Sequence, residues 1–327
     1  MRQHIIGFFA GFCLDLLIGD PHELPHPIRL IGRWIGWLDR RLMGGGRRPI
    51  IERLLGCLLV VLVCVPTVLI AYAVLHISSH FCPVVGIAIE AVLTAYLLAA
   101  KSLKTESMRV FDALSKSNIE EARRAVSMIV GRDTETLDEA GIVRAAVETV
   151  AENTTDGVIA PMLYAALGGP VLGFLYKAIS TMDSMVGYRN ERYRFFGTAA
   201  ARLDDMLAFF PARIAALLMI LSCGLLGSDF DANNAFRIFR RDRWAHKSPN
   251  AAQTESVVAG ALHVRLAGNA YYFGKLQEKP FIGDDDRAIE VEDIRRVNHL
   301  MLAAAVLGEV LCVASMLLLA MKKMSLL

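Results

Sequence analysis

Glu148, Glu152 and Asp156 recur every four residues, so a helix through them carries three carboxylates along one face, with Arg144 one turn earlier. Three acids in a row repel one another unless a cation or basic side chains sit among them. A magnesium site would answer that need, because one or two carboxylates plus substrate phosphates commonly hold the ion. A solvated face balanced by Arg144 is the competing reading. A second group is Asp183 with Tyr188, Arg189, Asn190, Glu191, Arg192, Tyr193 and Arg194, followed by Arg202, Asp204 and Asp205. Arginine forks beside aromatic rings suit phosphate or carboxylate recognition, and Asp204 or Asp205 can add a metal ligand. A basic loop resting on anionic lipid is the alternative.

A third group is RRDRWAHKSPNAAQTES, residues 240–256. Ser248 before Pro249 predicts a helix start, with the hydroxyl as cap and proline at the first position. Arg240, Arg243 and Lys247 precede it on one face if that stretch is helical. A helix N-terminus beside cations is an anion site. Asn250 belongs to the same set, His246 can assist or merely pack, and Glu255 lies farther along the new helix. A fourth stretch, GDPHELPHPIRLIG at 19–32, sets His22 and His26 among prolines rather than at helical spacing, which favours ordinary loop histidines over a metal pair.

Some chemistries leave no trace. There is no GxxxxGK[ST] loop, no HExxH, no GxSxG and no GxGxxG after a strand. Gly44-Gly45-Gly46-Arg47 reads as a flexible basic turn. The six cysteines form no CxxC pair and mostly sit inside apolar segments, where they act as small packing residues.

The elements that must carry these groups are apolar. The chain of 327 residues is 54% hydrophobic and 21% charged, and the apolar residues come in blocks rather than interleaved. From Leu54 to Ile89 there is no Asp, Glu, Lys or Arg, well beyond the ~20 residues that cross a bilayer. The blocks are Ile5–Gly19, Leu54–Ile77, Val84–Ala100, Val158–Ile179, Met206–Gly227 and Leu300–Met321. The first resembles a signal peptide, but Asp15 interrupts it and no small-residue cleavage site follows, so it reads as a retained short membrane helix. Net charge is +2, which gives no pointer to nucleic acid.

Ser78–Pro83 turns the second and third blocks into a hairpin. That places the basic loops 20–53 and 101–156 on one side, the cytoplasmic one. Loop 180–205 is also basic. It reaches the same side if Val158–Ile179 re-enters at Gly168-Gly169-Pro170, where protein buries the irregular backbone. Residues 101–150 are amphipathic with a helical period. Asn118 before Ile119-Glu120-Glu121 marks a helix start, Asp133–Thr136 a turn, and Gly157 a helix end. Residues 228–299 form a long polar helical loop, and no strand-like run stands outside the apolar blocks. The expectation is one all-α, multi-pass integral membrane domain over residues 1–327, with about four to six apolar segments.

Taken together, these motifs resemble the CobD/CbiB family of cobalamin biosynthesis, the adenosylcobinamide-phosphate synthases. The stretches are DLLIGDPHELPHPIRLIGRWI, ETVAENTTDGVIAPMLYAALGGP, STMDSMVGYRNERYRFFGTAAARLDDMLAFFPARI, HKSPNAAQTES, AGALHVRLAG and YYFG, in the family's order. The chain departs at Ser180, where asparagine is expected, and at Ala252, His263 and Ala267, where the family often has glycine.

The resemblance implies a multi-pass enzyme of the inner cell membrane with cytoplasmic catalytic loops. It would join the carboxylate of adenosylcobyric acid to 1-amino-2-propanol phosphate, or a close relative, as an amide. ATP would drive the step, since a carboxylate condenses with an amine only once its oxygen becomes a leaving group. Phosphoryl transfer of this kind needs Mg²⁺ and cationic clamps. On that footing Mg²⁺ falls to Glu152, Asp156 and Asp183, with Glu148, Asp204 and Asp205 in reserve. Arg189, Arg192 and Arg194 clamp phosphates. Arg243, Lys247, Ser248 and Asn250 hold another, for which that of the amino-alcohol is the candidate. Asn153 and Asn190 orient polar ends, and His246 and Glu255 are candidate bases. Expected partners are the corrinoid, the amino-alcohol phosphate, membrane lipid and a second copy of the chain, with no nucleic acid. Rival readings are a membrane sensor similar to AmpE, a transporter with broken helices, or a lipid-binding scaffold.

Overall fold

Helix follows helix along almost the whole chain. The computed structural model describes residues 2–20, 25–44, 48–188, 190–272 and 274–325. His22, Arg189 and most of the glycine-rich turn at 44–47 lie outside these. The helices are α1 (Arg2–Leu17), α2 (Pro27–Leu42), α3 (Pro49–Phe81), α4 (Pro83–Ala95), α5 (Ala100–Ser115), α6 (Ile119–Ser127) and α7 (Glu139–Asn153). A π-helical turn, Thr154–Ile159, leads into α8 (Ala160–Val186). After it come α9 (Thr198–Leu226), α10 (Ala232–Asp242), α11 (Ala251–Leu262) and α12 (Glu292–Ser325). Five stretches are long and apolar enough to cross a bilayer: Pro49–Phe81, Pro83–Ser115, Glu139–Val186, Thr198–Leu226 and Glu292–Lys322. The chain is an all-α, multi-pass membrane protein. At 16 residues, α1 is shorter than any of the five.

Four expectations need correction. Residues 20–53 are not simply loop: Pro27 at the first position and His26 as cap start α2, whose N-cap bond runs from the Ile28 N–H to His26 Nδ1 at 3.2 Å. Gly157 does not end its helix. It lies inside the π turn, and packing holds the backbone helical there despite glycine's poor propensity. Asp204 and Asp205 are not in a loop, because α9 starts six residues before Asp204. Finally, β1 (Leu266–Ala267) pairs with β4 (Phe281–Ile282), and β2 (Ala270–Tyr272) with β3 (Lys275–Gln277), all antiparallel. Strands of two or three residues are too short to show an alternating pattern.

The chain divides into two compact units. The first comprises Met1–Ala99, Ala160–Ala208 and Glu309–Leu327; the second comprises Ala100–Ile159 and Phe209–Gly308. In the first, Ile35 and Leu38 of α2, Leu59 and Val63 of α3, and Ala178, Ile179, Met182 and Val186 of α8 share one core with Phe196 and Ala200. The expected break in α8 is present. Gly168 (φ −145°, ψ 28°) and Gly169 (φ 64°, ψ −170°) leave helical geometry just before Pro170. The positive φ at Gly169 is one that a side chain would resist.

In the second unit α11 is the central piece. All twelve of its residues are buried, and it packs against α7, α10, β1 and β4. A Cβ on Gly260 would stand 2.6 Å from the Asn234 carbonyl oxygen, so only glycine lets α10 approach this closely. A helix buried on every side is normally apolar. This one carries Gln253, Thr254, Glu255 and Ser256 in its first turns.

Candidate active site

The second unit gathers three carboxylates around the start of α11. Glu148 and Glu152 project from α7 and Glu255 from α11. Glu148 has both oxygens engaged. One pairs with Arg132, and the other accepts the Ala267 N–H at 2.6 Å. That leaves Glu148 as a clamp between the 132 loop, α7 and β1 rather than as an open metal ligand. Ala267 holds a left-handed backbone (φ 60°) where glycine is the easier residue, and there its N–H meets the Glu148 carboxylate.

Glu255 is the opposite case. Its residue is 6% exposed and its Oε2 is buried without a hydrogen-bond partner. Burial holds its carboxyl well above the usual carboxylate range. The Glu152 and Glu148 carboxylates push the same way, against Lys279 and Arg132. Lys279, Glu148 and Arg132 act on Glu152 as well. Three carboxylates thus face two cations, and α11 adds buried Gln253 Oε1 and Thr254 Oγ1, both lacking partners.

The turn before α11 completes this wall. The helix starts at Ala251, later than expected, with Asn250 rather than Ser248 at the N-cap. Ser248 Oγ still accepts the Asn250 N–H, at 3.3 Å. Asn250 turns its side-chain oxygen to Arg213 Nη1 at 2.8 Å instead of capping the helix. Arg213 Nη2 donates to the Pro249 carbonyl at 3.2 Å, and Gln253 Nε2 donates to the same carbonyl at 3.0 Å and to that of Arg243 at 2.9 Å. His246 Nδ1 accepts the Ser248 N–H at 3.0 Å, so the neutral ring keeps its proton on Nε2. Burial, then the positive charge of Lys279, brings its pKa down to about 4. His246 is therefore a neutral donor at Nε2, and the lone pair a general base needs is committed to the backbone. Lys247 is exposed and Arg243 stacks over Phe239 and Trp244. Asn153 Nδ2 donates to the Thr149 carbonyl at 3.0 Å, and Asp156 is half-buried in the π turn.

The first unit holds the remaining expected residues. Arg192 Nη2 lies 2.8 Å from Asp39 Oδ2, and the Tyr193 hydroxyl donates to the same oxygen at 3.1 Å. Burial and the Asp39 carboxylate push the Tyr193 hydroxyl upward, which keeps it a donor. Asn190 Oδ1 accepts the Tyr193 N–H at 2.9 Å and shapes the turn. Arg194 is exposed over Phe195. Asp183 sits in the last turn of α8, and its carbonyl accepts the Gly187 N–H at 2.7 Å. Asp204 and Asp205 lie half-buried on α9. Among the described residues no group of three or more His, Cys, Asp or Glu is close enough to hold a metal by itself. Arg132, Lys279, Arg213 and Asp39 carry the arrangement without having been singled out from the sequence, since each is brought in from a distant segment.

A family profile described as CobD/Cbib protein matches residues 8–301. The chain belongs to the CobD/CbiB family. Cobalamin biosynthesis protein CobD of Clostridium perfringens is 43% identical over 307 residues, covering 94% of this chain and 96% of that protein. The CobD protein of Pelobacter propionicus is 46% identical over 305 residues, 92% of each chain. Cobalamin biosynthesis protein CbiB of Salmonella typhimurium is 42% identical over 313 residues, 95% of this chain and 97% of its own. No solved structure matches. The expected CobD/CbiB membership holds, and it spans both units.

Proposed function

We propose that this CobD/CbiB protein acts in cobalamin biosynthesis as the amide-forming ligase. It would join adenosylcobyric acid to 1-amino-2-propanol phosphate, or a close relative, at the expense of ATP. The observation that carries the reading is Glu255: a buried carboxylate of raised basicity with one oxygen unpartnered, in the first turns of α11 and within electrostatic reach of Lys279 and Arg132. In the reaction the acid's carboxylate oxygen takes the γ-phosphoryl group and ADP leaves. The amine nitrogen then attacks the carbonyl, phosphate departs, and the nitrogen loses a proton to Glu255 Oε2. A base held above the ordinary carboxylate range is better matched to an alkylamine. Lys279, Lys247 and the α11 N-terminus would supply the positive potential that a phosphate needs.

A hard cation would need only one or two carboxylates beside phosphate oxygens. Glu152 and Asp156 would hold Mg²⁺ together with phosphate oxygens, as that ion prefers. When bound, it would neutralise charge on the transferring phosphoryl group. In the first unit, Arg192 and Arg194 would bind a phosphate on their own account. The loop that carries Arg192 and Arg194 would face the cytoplasm, and a phosphatase reporter fused after Tyr193 tests that: activity on the exported side overturns it.

The chemical test is mass spectrometry of corrinoids made by membranes supplied with adenosylcobyric acid, ATP and candidate amines. The expected product is the amide phosphate, with ADP formed in equal amount. Glu255→Gln should cut kcat by about 10²–10⁴-fold. Amide formation without ATP consumption, or full activity in Glu255→Gln, sinks the proposal.

A further inference from the structure

Three prolines lie inside long apolar helices: Pro66 in α3, Pro170 in α8 and Pro211 in α9. A proline has no N–H, so the carbonyl four residues earlier loses its helical partner. In a bilayer no water replaces that partner, and an orphaned carbonyl costs several kcal/mol. The three carbonyls are those of Leu62, Ala166 and Leu207. Each receives a side-chain donor from a different helix. Trp34 Nε1 of α2 donates to the Leu62 carbonyl at 3.1 Å. His4 Nε2 of α1 meets the Ala166 carbonyl at 3.1 Å, while its Nδ1 pairs with Glu90 of α4. The Tyr164 hydroxyl of α8 donates to the Leu207 carbonyl at 2.9 Å.

We infer that His4, Trp34 and Tyr164 are positioning residues that lock the three proline breaks, each by occupying the carbonyl its proline orphans. Chance packing does not account for the pattern, because each of the three donors reaches the carbonyl four residues before a proline. The His4 case shows the tautomer needed: Nε2 must carry a proton to serve Ala166, which leaves Nδ1 to share one with Glu90. Two of the locks hold residues of the candidate site. Trp34 fastens α2, whose Asp39 holds Arg192 and Tyr193. Tyr164 fastens the α9 turn that follows Asp204 and Asp205. Moving such a lock misplaces those side chains without touching them.

A double-mutant cycle on the full-length protein tests the inference. Pro211→Ala restores a backbone N–H that can close on Leu207, which makes the Tyr164 hydroxyl redundant. Tyr164→Phe should shift the detergent-unfolding equilibrium by about threefold in the native background. It should cause no measurable shift in the Pro211→Ala background. Trp34→Phe with Pro66→Ala should couple the same way, whereas Pro170→Ala leaves the Ala166 carbonyl dependent on His4, because Gly168 and Gly169 still hold the backbone out of helical geometry. An equal loss in both backgrounds for Tyr164 or Trp34 overturns the inference, because ordinary packing does not depend on the proline. Where a proline variant fails to accumulate, ultraviolet resonance Raman of the native protein minus Trp34→Phe decides. A hydrogen-bonded indole N–H is expected, and a free one overturns the lock.

Discussion

Arg132 with Glu148 and Arg192 with Asp39 share one chemistry and have opposite surroundings. The Arg132 and Glu148 side chains are 17% and 4% exposed; those of Arg192 and Asp39 are 55% and 11%. The first pair is enclosed by protein, and its carboxylate also takes the Ala267 N–H. In the second only the carboxylate is enclosed, and the guanidinium stays in reach of solvent and solutes. Burial decides what each pair can do. A closed pair cannot give up its charge to a substrate without leaving a bare ion behind, so it fixes architecture. An open pair can trade Asp39 for a phosphate.

The largest test of this contrast is Arg132→Met. It leaves the Glu148 carboxylate buried without its cation and should cost about 3–5 kcal/mol of stability, read by chemical unfolding in detergent. Replacing both partners, Arg132→Met with Glu148→Leu, should recover most of that loss, because two well-packed apolar groups leave no bare ion. A single variant as stable as the native protein would place the pair among exposed ones.

His246 gives an intermediate effect and ties the contrast to pH. An unfolded histidine takes up a proton below about 6.5, and the folded one only near 4. Between those values the unfolded chain binds more protons, so stability rises with pH across the window and is lost as pH falls from 6.5 towards 4. The full span is worth about 3 kcal/mol. His246→Gln should flatten that part of the stability profile. An unchanged slope would mean that the ring is not held neutral by burial and Lys279.

The apolar blocks were legible because length and hydropathy alone bear on crossing a bilayer, and the α8 break was legible because Gly168-Gly169-Pro170 has few other uses. The carboxylates were legible as well, since Glu148 and Glu152 are four apart on one helix. Their different fates were not. Nothing in the local pattern says that Glu148 meets Arg132 and the Ala267 N–H while Glu255 Oε2 meets nothing. Those partners come from a loop sixteen residues upstream and from a short strand more than a hundred residues downstream. The position of α11 was foreseen to within three residues. Its start moved because Arg213 takes the Asn250 side chain and Gln253 ties Pro249 into the preceding turn. Asp39 was hidden for a different reason. Residues 20–53 read as a basic loop, and only as helix α2 do they bring a buried carboxylate to Arg192.

Arg192→Ala is the smallest and sharpest test. Its guanidinium is more than half exposed, so solvent screening limits the pair to about 1 kcal/mol or less of stability. Tyr193 still donates to Asp39 when Arg192 is gone, which limits the loss further. The functional effect should be larger than the structural one. If Arg192 exchanges Asp39 for a substrate phosphate, KM for the phosphorylated substrate should rise several-fold while kcat changes little, and the rise should shrink at high salt. Asp39→Asn should have the opposite sign, because it frees the guanidinium and lowers that KM. A stability loss in Arg192→Ala as large as that in Arg132→Met would mean that the pair in the first unit is architectural too, and the open-pair reading would end there.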